Sequence, residues 1–397
     1  MNKPKILISF LNHRITDGRV FYREVRHLVN TFGDKIEVVA INLLRRKQST
    51  LIEYNELDLA CDGHMVHCYQ ICVPEQCSTI AKIKWKSRIG KETFNLVKKI
   101  NPDLYFIADV REIPIAVKLH KRKSTPIIYD SHEDYVRQAI DYGNNILLKY
   151  LTAWLFDYYE KSKLRFFEAI FCTDEYLEKK YSLSVYKAKE VHLMRNFPYY
   201  DKSTGDIIRR FENNNLLKIV YIGGVDPYRG IRETANFVKR YNSESESRKL
   251  SFDIYGNDNA ISKEVSDGEM VVSHDWIDHK ELMEKLRTQF DVGVCLWQPI
   301  PKFFENLPIK NFDYMGVGLP IITSNFGNLQ VHAERSKAGI CIDPQSYDEF
   351  KNAVNALFDP KRREEFSKNG LRYVREDAAF QTEAKAFIQC IKRVLKV

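Results

Sequence analysis

At 397 residues, 44% of them hydrophobic and 29% charged, the chain is too long for one ordinary core and too apolar to be disordered, so two domains of roughly 150–200 residues are expected. No apolar run approaches the ~18–20 residues of a membrane-spanning helix, which argues against an integral membrane protein. A formal charge of +8 favours an anionic partner; a nucleotide or a phospholipid surface fits better than nucleic acid, since neither zinc-finger spacing nor a basic heptad region is present.

Short apolar runs alternate with helical stretches, twice over. In the first half the strands are expected at Ile6–Phe10, Ile36–Ile41, Met65–Val73, Leu104–Ile107, Ile127–Tyr129, Ala169–Cys172 and Val191–Leu193. Helices are expected at Asp17–Asn30, Ala81–Ile100, Glu112–Lys121 and Leu147–Arg165. Tyr199–Asn215 is polar and aperiodic and reads as a linker. The alternation then restarts with Leu217–Ile222, a helix from Gly230, Phe252–Tyr255, Met270–Val272, Asp291–Leu296, Leu319–Thr323 and Gly339–Ile342. Strand–helix–strand alternation predicts an α/β fold with parallel, doubly wound sheets. The expected domains are 1–198 and 216–377, with a helix at about 378–397 that packs back on the first. Doubly wound sheets bind ligands outside the carboxyl ends of their strands, so one shared cleft is expected. Ile6–Leu11 reads as a buried strand and not as a secretion signal, which places the protein in the cytoplasm.

Cys61, His64, His67, Cys68, Cys72 and Cys77 crowd one segment. They overlap an alternating strand pattern without paired zinc knuckles, so thiols are expected there, neither metal nor disulfide.

Four loops carry candidate chemistry. Ile219–Ile222 runs into Gly223-Gly224, where the backbone can approach a ligand, and Arg229 can clamp a diphosphate; the alternative is a tight turn with a surface arginine. Glu305 is followed eight positions later by Asp313, which lies within an expected helix at Asn311–Gly316. Lys310 and the first amides of that helix suit a phosphate and a sugar hydroxyl, while the plain reading is a polar cap. After Ile127–Tyr129, His132 can donate to a phosphate or sugar hydroxyl, and Asp130 or Ser131 can cap a helix. On the first loop Asp17 reads as an N-cap, with Arg14 and Arg19 as possible anion contacts. Two basic–aromatic stretches suggest a surface role. Ile80–Lys99 fits an anionic membrane interface as well as it fits sheet packing, whereas Leu147–Phe167 reads as a helix packed on the sheet.

Several motifs are similar to those of a known family: Asp17-Gly18-Arg19-Val20 with Glu24 and Leu28, Ala108-Asp109-Val110, Tyr129-Asp130-Ser131-His132-Glu133, Asn196-Phe197-Pro198, and Leu307 to Pro320. Together they resemble the retaining glycosyltransferases of glycosyltransferase family 4, in a bacterial surface-polysaccharide branch. The last stretch resembles Pro-Asn-Lys-x-x-Glu-Tyr-Met-x-x-Gly-x-Pro, with Asp313 where the family has the second glutamate of a Glu-x7-Glu pair. Val225 stands where many relatives have arginine.

The resemblance implies the GT-B fold, two Rossmann-like domains facing each other across a cleft. It implies Glu305 and His132 as catalytic residues. Gly223, Gly224, Arg229, Lys310 and the backbone at Leu307 and Ile309 would hold the donor diphosphate, and Asp313, Trp276 and Ile277 the nucleoside. Arg14, Asp17, Arg19 and Asp109 are the candidates for the acceptor side. No cofactor and no metal are expected, because no Asp-x-Asp pair sits on a suitable loop and fixed cations can serve instead. The implied donor is a UDP- or GDP-sugar, and the acceptor a glycan or polyprenyl-linked glycan at the inner membrane face. Glu305 acts either as nucleophile or in positioning. A nucleotide-sugar epimerase and an inactive partner subunit of another transferase are the alternatives.

Overall fold

The computed structural model describes residues 3–11, 14–46, 53–74, 79–142, 146–200, 211–257 and 260–397. Two compact units divide the chain, Met1–Arg195 with Glu383–Val397, and Asn196–Thr382.

The first unit is built on eight strands: β1 (Lys5–Ser9), β2 (Glu37–Arg46), β3 (Tyr54–Cys61), β4 (His64–Pro74), β5 (Leu104–Ile107), β6 (Ile127–Ser131), β7 (Ala169–Cys172) and β8 (Val191–Leu193). Their order is β3-β4-β2-β1-β5-β6-β7-β8. All neighbours pair in parallel except β3 and β4, which form an antiparallel hairpin. The inner strands are apolar along most of their length, because helices cover both faces of such a sheet, with polar residues such as Asp130 and Ser131 at the carboxyl end of β6. β3 escapes the sequence analysis because it is an edge strand with Glu56 and Asp58 among its residues, so its apolar signal is weak. Cys61, Cys68 and Cys72 are buried free thiols on this hairpin, and His67 binds Asp58 Oδ1 at 2.7 Å. Cys77 lies outside the described residues.

The second unit carries β9 (Leu216–Ile222), β10 (Lys249–Tyr255), β11 (Val271–His274), β12 (Val292–Cys295), β13 (Ile321–Ser324) and β14 (Gly339–Ile342). Their order is β11-β10-β9-β12-β13-β14, all parallel. This is the doubly wound order, in which the strand sequence reverses between β9 and β12 and leaves a crevice at their carboxyl ends. The first sheet reverses in the same way between β1 and β5. The helix Ile231–Glu244 shows why the layers hold. Ile231, Ala235 and Val238 recur at helical spacing and are buried in the core with Leu250 and Phe252. Ile231, Val238 and Leu250 each contribute about 1.5–3 kcal/mol on burial.

Two expected helices differ from observation. The one expected at Asp17–Asn30 begins as a π-helix over Val20–Val25 and becomes α-helical at Arg26–Phe32. Bonding to the fifth residue back, as in Glu24 N–H to the Arg19 carbonyl at 3.1 Å, sets Arg19 and Glu24 near each other. Their side chains pair at 3.1 Å. The other is the helix Ile146–Lys163, expected to pack its apolar residues on the sheet. Only Ala153 and Glu160 are buried, with Phe156 and Tyr159 partly so, while most of its leucines and aromatics face solvent. In the basic stretch before it, Phe94, Leu96, Val97 and Ile100 pack into the core; the side chains of residues 79–87 lie outside the described set.

Candidate active site

The β9–β12 crevice is the better-built of two polar sites. β9 and β12 pair over only two residues, Ile219 with Val292 and Val220 with Gly293. Beyond them the strands part, and the Ile222 amide lacks a β12 partner. Tyr314, on the helix Ile309–Gly316, fills the gap, accepting from that amide at 3.0 Å through its hydroxyl. Its ring requires Gly293 beneath it, since a Cβ there would stand 2.4 Å from the ring carbons.

One turn before Tyr314, on the same side of the helix, Lys310 reaches the carboxyl end of β9. Its Nζ donates to the Tyr221 hydroxyl at 3.1 Å and lies 4.4 Å from the Tyr221 ring centroid and 5.1 Å from that of Trp297. Arg229 approaches the same indole, its guanidinium 4.8 Å from Trp297 and 5.2 Å from Phe303. Arg229 Nε is fixed by Asp226 at 2.9 Å, and its two terminal nitrogens have no acceptor among the described residues. Gly223 (φ 111°) lies alongside, where a Cβ would come within 3.5 Å of the Lys310 Cε. Two cationic side chains on one aromatic surface, beside a bare backbone, make an arrangement that can accept an anion.

Burial above all, with neighbouring Arg229, lowers the Lys310 pKa to about 7 against opposing effects of Cys295, Asp226 and Asp313. Burial likewise pushes the Cys295 thiol up to about 11. The lysine therefore carries only part of a charge at neutral pH, and an arriving anion would complete it.

The loops around the cations are pinned together. A Cβ on Gly230 (φ 72°) would stand 1.8 Å from the Leu296 carbonyl oxygen, and the Gln298 amide donates to the Tyr228 carbonyl at 2.9 Å. Gly327 (φ 54°) lets the next helix sit against Phe304, where an added Cβ would stand 2.3 Å from the Phe304 carbonyl oxygen. Glu305, capping the short helix Pro301–Phe304, is exposed. Asn328 Nδ2 donates to its carbonyl at 2.7 Å, and its carboxylate has no partner among the described residues.

The second site lies in the first unit, at the ends of β1 and β6. Arg19 donates through Nε to Asp130 Oδ2 at 2.9 Å and through NH2 to Asp130 Oδ1 at 2.6 Å, and its Nε lies 3.0 Å from His132 Nε2. Both terminal nitrogens also reach the Met194 carbonyl at 3.2 Å. His132 Nε2 bonds Asp130 as well. Burial opposes the Arg19 charge, but Asp130 and Glu24 outweigh it and hold the guanidinium above its ordinary value. Arg19 and His132 likewise outweigh burial at Asp130, which stays ionised; burial and Asp130 push Glu24 well above the carboxylate range. Glu24, Asp130 and His132 converge within 4.8 Å as metal ligands would, yet Arg19 supplies the cation among them. Removing it leaves a buried carboxylate uncompensated. Arg19→Met should destabilise the first unit by about 3–5 kcal/mol in denaturant unfolding, and Arg19→Lys should not restore it, because a point charge lacks the fork that spans Asp130 and Met194.

Residues 217–359 match the family model described as glycosyl transferases group 1, a span that includes Gly223, Arg229, Glu305 and Lys310. The chain is a glycosyltransferase-class enzyme. No curated protein matches it in sequence. Among solved structures it is similar to sucrose-phosphate synthase from Thermosynechococcus elongatus, at 15% identity and a TM-score of 0.69 over 99% of this chain and 100% of the other. A trehalose-6-phosphate structure from E. coli bound with UDP-2-fluoro glucose aligns at 12% identity and TM-score 0.67, over 98% and 99%. An alpha,alpha-trehalose-phosphate synthase (UDP-forming) from Burkholderia xenovorans in complex with glucose-6-phosphate aligns at 11% and 0.65, over 98% and 100%. At these identities the likeness establishes the fold, two parallel α/β sheets of the GT-B kind.

In this glycosyltransferase the structure gathers Gly223, Arg229 and Lys310, with Phe303 leading to Glu305. Other expected positions lie elsewhere in the two units. Arg19, expected as an anion contact, is internal to the first unit. Asp17 caps as expected, accepting from the Arg19 and Val20 amides at 2.8 and 2.9 Å. Asp109 is buried and accepts from the Arg111 amide at 2.9 Å and its guanidinium at 3.1 Å. The Ile309 amide, expected to face a phosphate, turns back to the Leu307 carbonyl at 3.0 Å across an inverse γ-turn at Pro308. Leu307 and Ile277 pack partly buried against the Phe312–Met315 core. Gly224 accepts from the Tyr221 hydroxyl at 2.7 Å through its carbonyl. Asp313 is half-buried on its helix, Trp276 exposed after β11, and Arg14 exposed on the first loop. Sequence reasoning missed Tyr221 and Trp297, which stand next to the carboxyl ends of two expected strands, Leu217–Ile222 and Asp291–Leu296; an aromatic at such a position was the available signal.

Proposed function

We propose that this enzyme is a retaining glycosyltransferase of family 4 that moves a sugar from a nucleoside diphosphate donor to a lipid-linked glycan acceptor, in bacterial surface-polysaccharide synthesis. The observation that carries the donor half is the meeting of Arg229 and Lys310 on Trp297 beside Gly223. Glycosyl transfer builds positive charge on the sugar ring and negative charge on the departing diphosphate. Two fixed cations stabilise the second as it develops, and Lys310 strengthens as it gains its proton. A structural neighbour bound with UDP-2-fluoro glucose supports a uridine nucleotide donor. Asp313 takes the ribose, Trp276 and Ile277 the base, and the open carboxylate of Glu305 serves the donor sugar. The first unit receives the acceptor, with Arg14 exposed on its first loop and His132 held by Asp130.

The test is a thermal-shift series with nucleoside diphosphates, together with turnover of UDP-sugars. A ligand at about 100 times its Kd stabilises by about 2.7 kcal/mol, so UDP should raise the melting temperature clearly. Glu305→Ala should keep that shift and lose turnover by about 10²-fold. A chain that neither binds a nucleoside diphosphate nor hydrolyses any donor is an inactive partner.

A further inference from the structure

The helix Ile146–Lys163 is turned inside out. Toward the core of the first unit it presents Ala153 and Glu160, the latter accepting from Lys180 Nζ at 3.0 Å and the Tyr181 hydroxyl at 2.8 Å. Toward solvent it presents Leu147 at 84% exposure, Leu151 at 52%, Trp154 at 59% and Tyr158 at 61%. These four recur at helical spacing along one line. Ile146, Tyr150 and Leu155 flank them, also at least half exposed. Single exposed apolar residues are normal, but a continuous face of this size marks an interaction surface.

The chemistry of the face selects its partner. From Ile146 to Phe156 there is no carboxylate, and Lys149 is the single charge. Asp157 pairs with Lys161 and accepts from the Tyr186 hydroxyl at 2.7 Å, and Glu160 lies inside with Lys180. Lys161, Lys163 and Arg165 then close the carboxyl end of the helix with positive charge. Leucines flanked by one tryptophan and several tyrosines, whose polar tips stay wet while their rings do not, match the boundary between acyl chains and headgroups. A cationic rim matches anionic lipid. A second copy of the chain would instead bring the same cations together on a two-fold axis.

We propose that this face seats the enzyme on an anionic lipid bilayer, lying in the interface without crossing it. The inference goes beyond the proposed transfer reaction, which concerns the second unit's anion site, and it gives a lipid-linked acceptor a surface on which to be met.

Sedimentation of the full chain with vesicles tests it. The wild type should pellet with phosphatidylglycerol-containing vesicles, and less with pure phosphatidylcholine. The triple variant Leu147→Ser, Leu151→Ser, Trp154→Ser, at positions already in water, should bind about tenfold or more weakly and melt at the wild-type temperature. Its UDP-induced thermal shift should be unchanged, so a missing shift counts against the donor reading alone. Equal vesicle binding by both proteins, or no binding by either, would overturn the proposal. So would a dimer of the wild type that the triple variant abolishes, since the face would then belong to a second copy.

Discussion

Replacing Lys310 with methionine should slow sugar transfer by about 10²- to 10³-fold, the usual effect of losing one fixed group that meets developing negative charge. Methionine keeps the stem packed on Tyr221 and Trp297 and removes only the cation. The free protein should tolerate the change, because burial already holds the Lys310 pKa near 7. The sign follows from linkage. Between the depressed folded pKa of about 7 and the ordinary value near 10.4, the unfolded chain holds a proton that the folded chain lacks, so the lysine's unfavourable contribution is full below pH 7 and fades as pH rises. Lys310→Met should therefore stabilise the free enzyme most at pH 6–7 and least near pH 10, as read in thermal melts. The nucleotide reverses the preference. UDP should be bound with proton uptake, and its affinity should fall between pH 7 and 9 in the wild type, a slope that calorimetry should find absent in the variant. A wild type whose UDP affinity is flat over that range would remove Lys310 from the diphosphate site. The groups facing the ammonium are Tyr221 on β9, Asp226 and Arg229 on the following loop, Cys295 on β12 and Asp313 on its own helix. Among these, Arg229 is the cation whose repulsion an incoming diphosphate would screen.

Gly230→Ala should be the most damaging small substitution in the second unit. The residue sits at φ 72°, where an alanine loses about 1–2 kcal/mol, and its Cβ would stand 1.8 Å from the Leu296 carbonyl oxygen. Main chain cannot rotate away as a side chain can, so overpacking adds about 1–3 kcal/mol more. The expected loss of about 2–5 kcal/mol in denaturant unfolding would fall on the two loops that frame the crevice, and nucleotide binding should weaken with it. Gly268→Ala is the control. Its φ of 77° is equally left-handed, but nothing lies within 4 Å of the added carbon, so only the backbone term remains. Equal losses at the two positions would show that the contact with Leu296 has no energetic weight.

The architecture was largely legible from local pattern. Leu104–Ile107, Ala169–Cys172, Val191–Leu193 and Gly339–Ile342 are strands at the expected bounds, since an apolar run of that length between turn signals has few other uses. Tyr54–Cys61 was not legible, because an edge strand need satisfy only one neighbour and can be polar on its open side. Nor was the π-helical start at Val20, which accompanies the pairing of Arg19 with Asp130, 111 residues away in sequence. Composition along Ile146–Lys163 revealed an apolar helix but not which side faces the core, since that depends on Lys180 and Tyr181 awaiting Glu160.

For the site, glycines, cations and carboxylates stand at readable spacings, and those identities and their loops follow from the chain alone. That Arg229 and Lys310 share one indole, that Arg19 turns inward and that Ile309 closes a turn are outcomes of folding. Spacing along a chain governs neighbours within a turn or two, whereas burial and charge at Lys310 are set by Tyr221 and Trp297, which only the closing of β9 beside β12 brings to it.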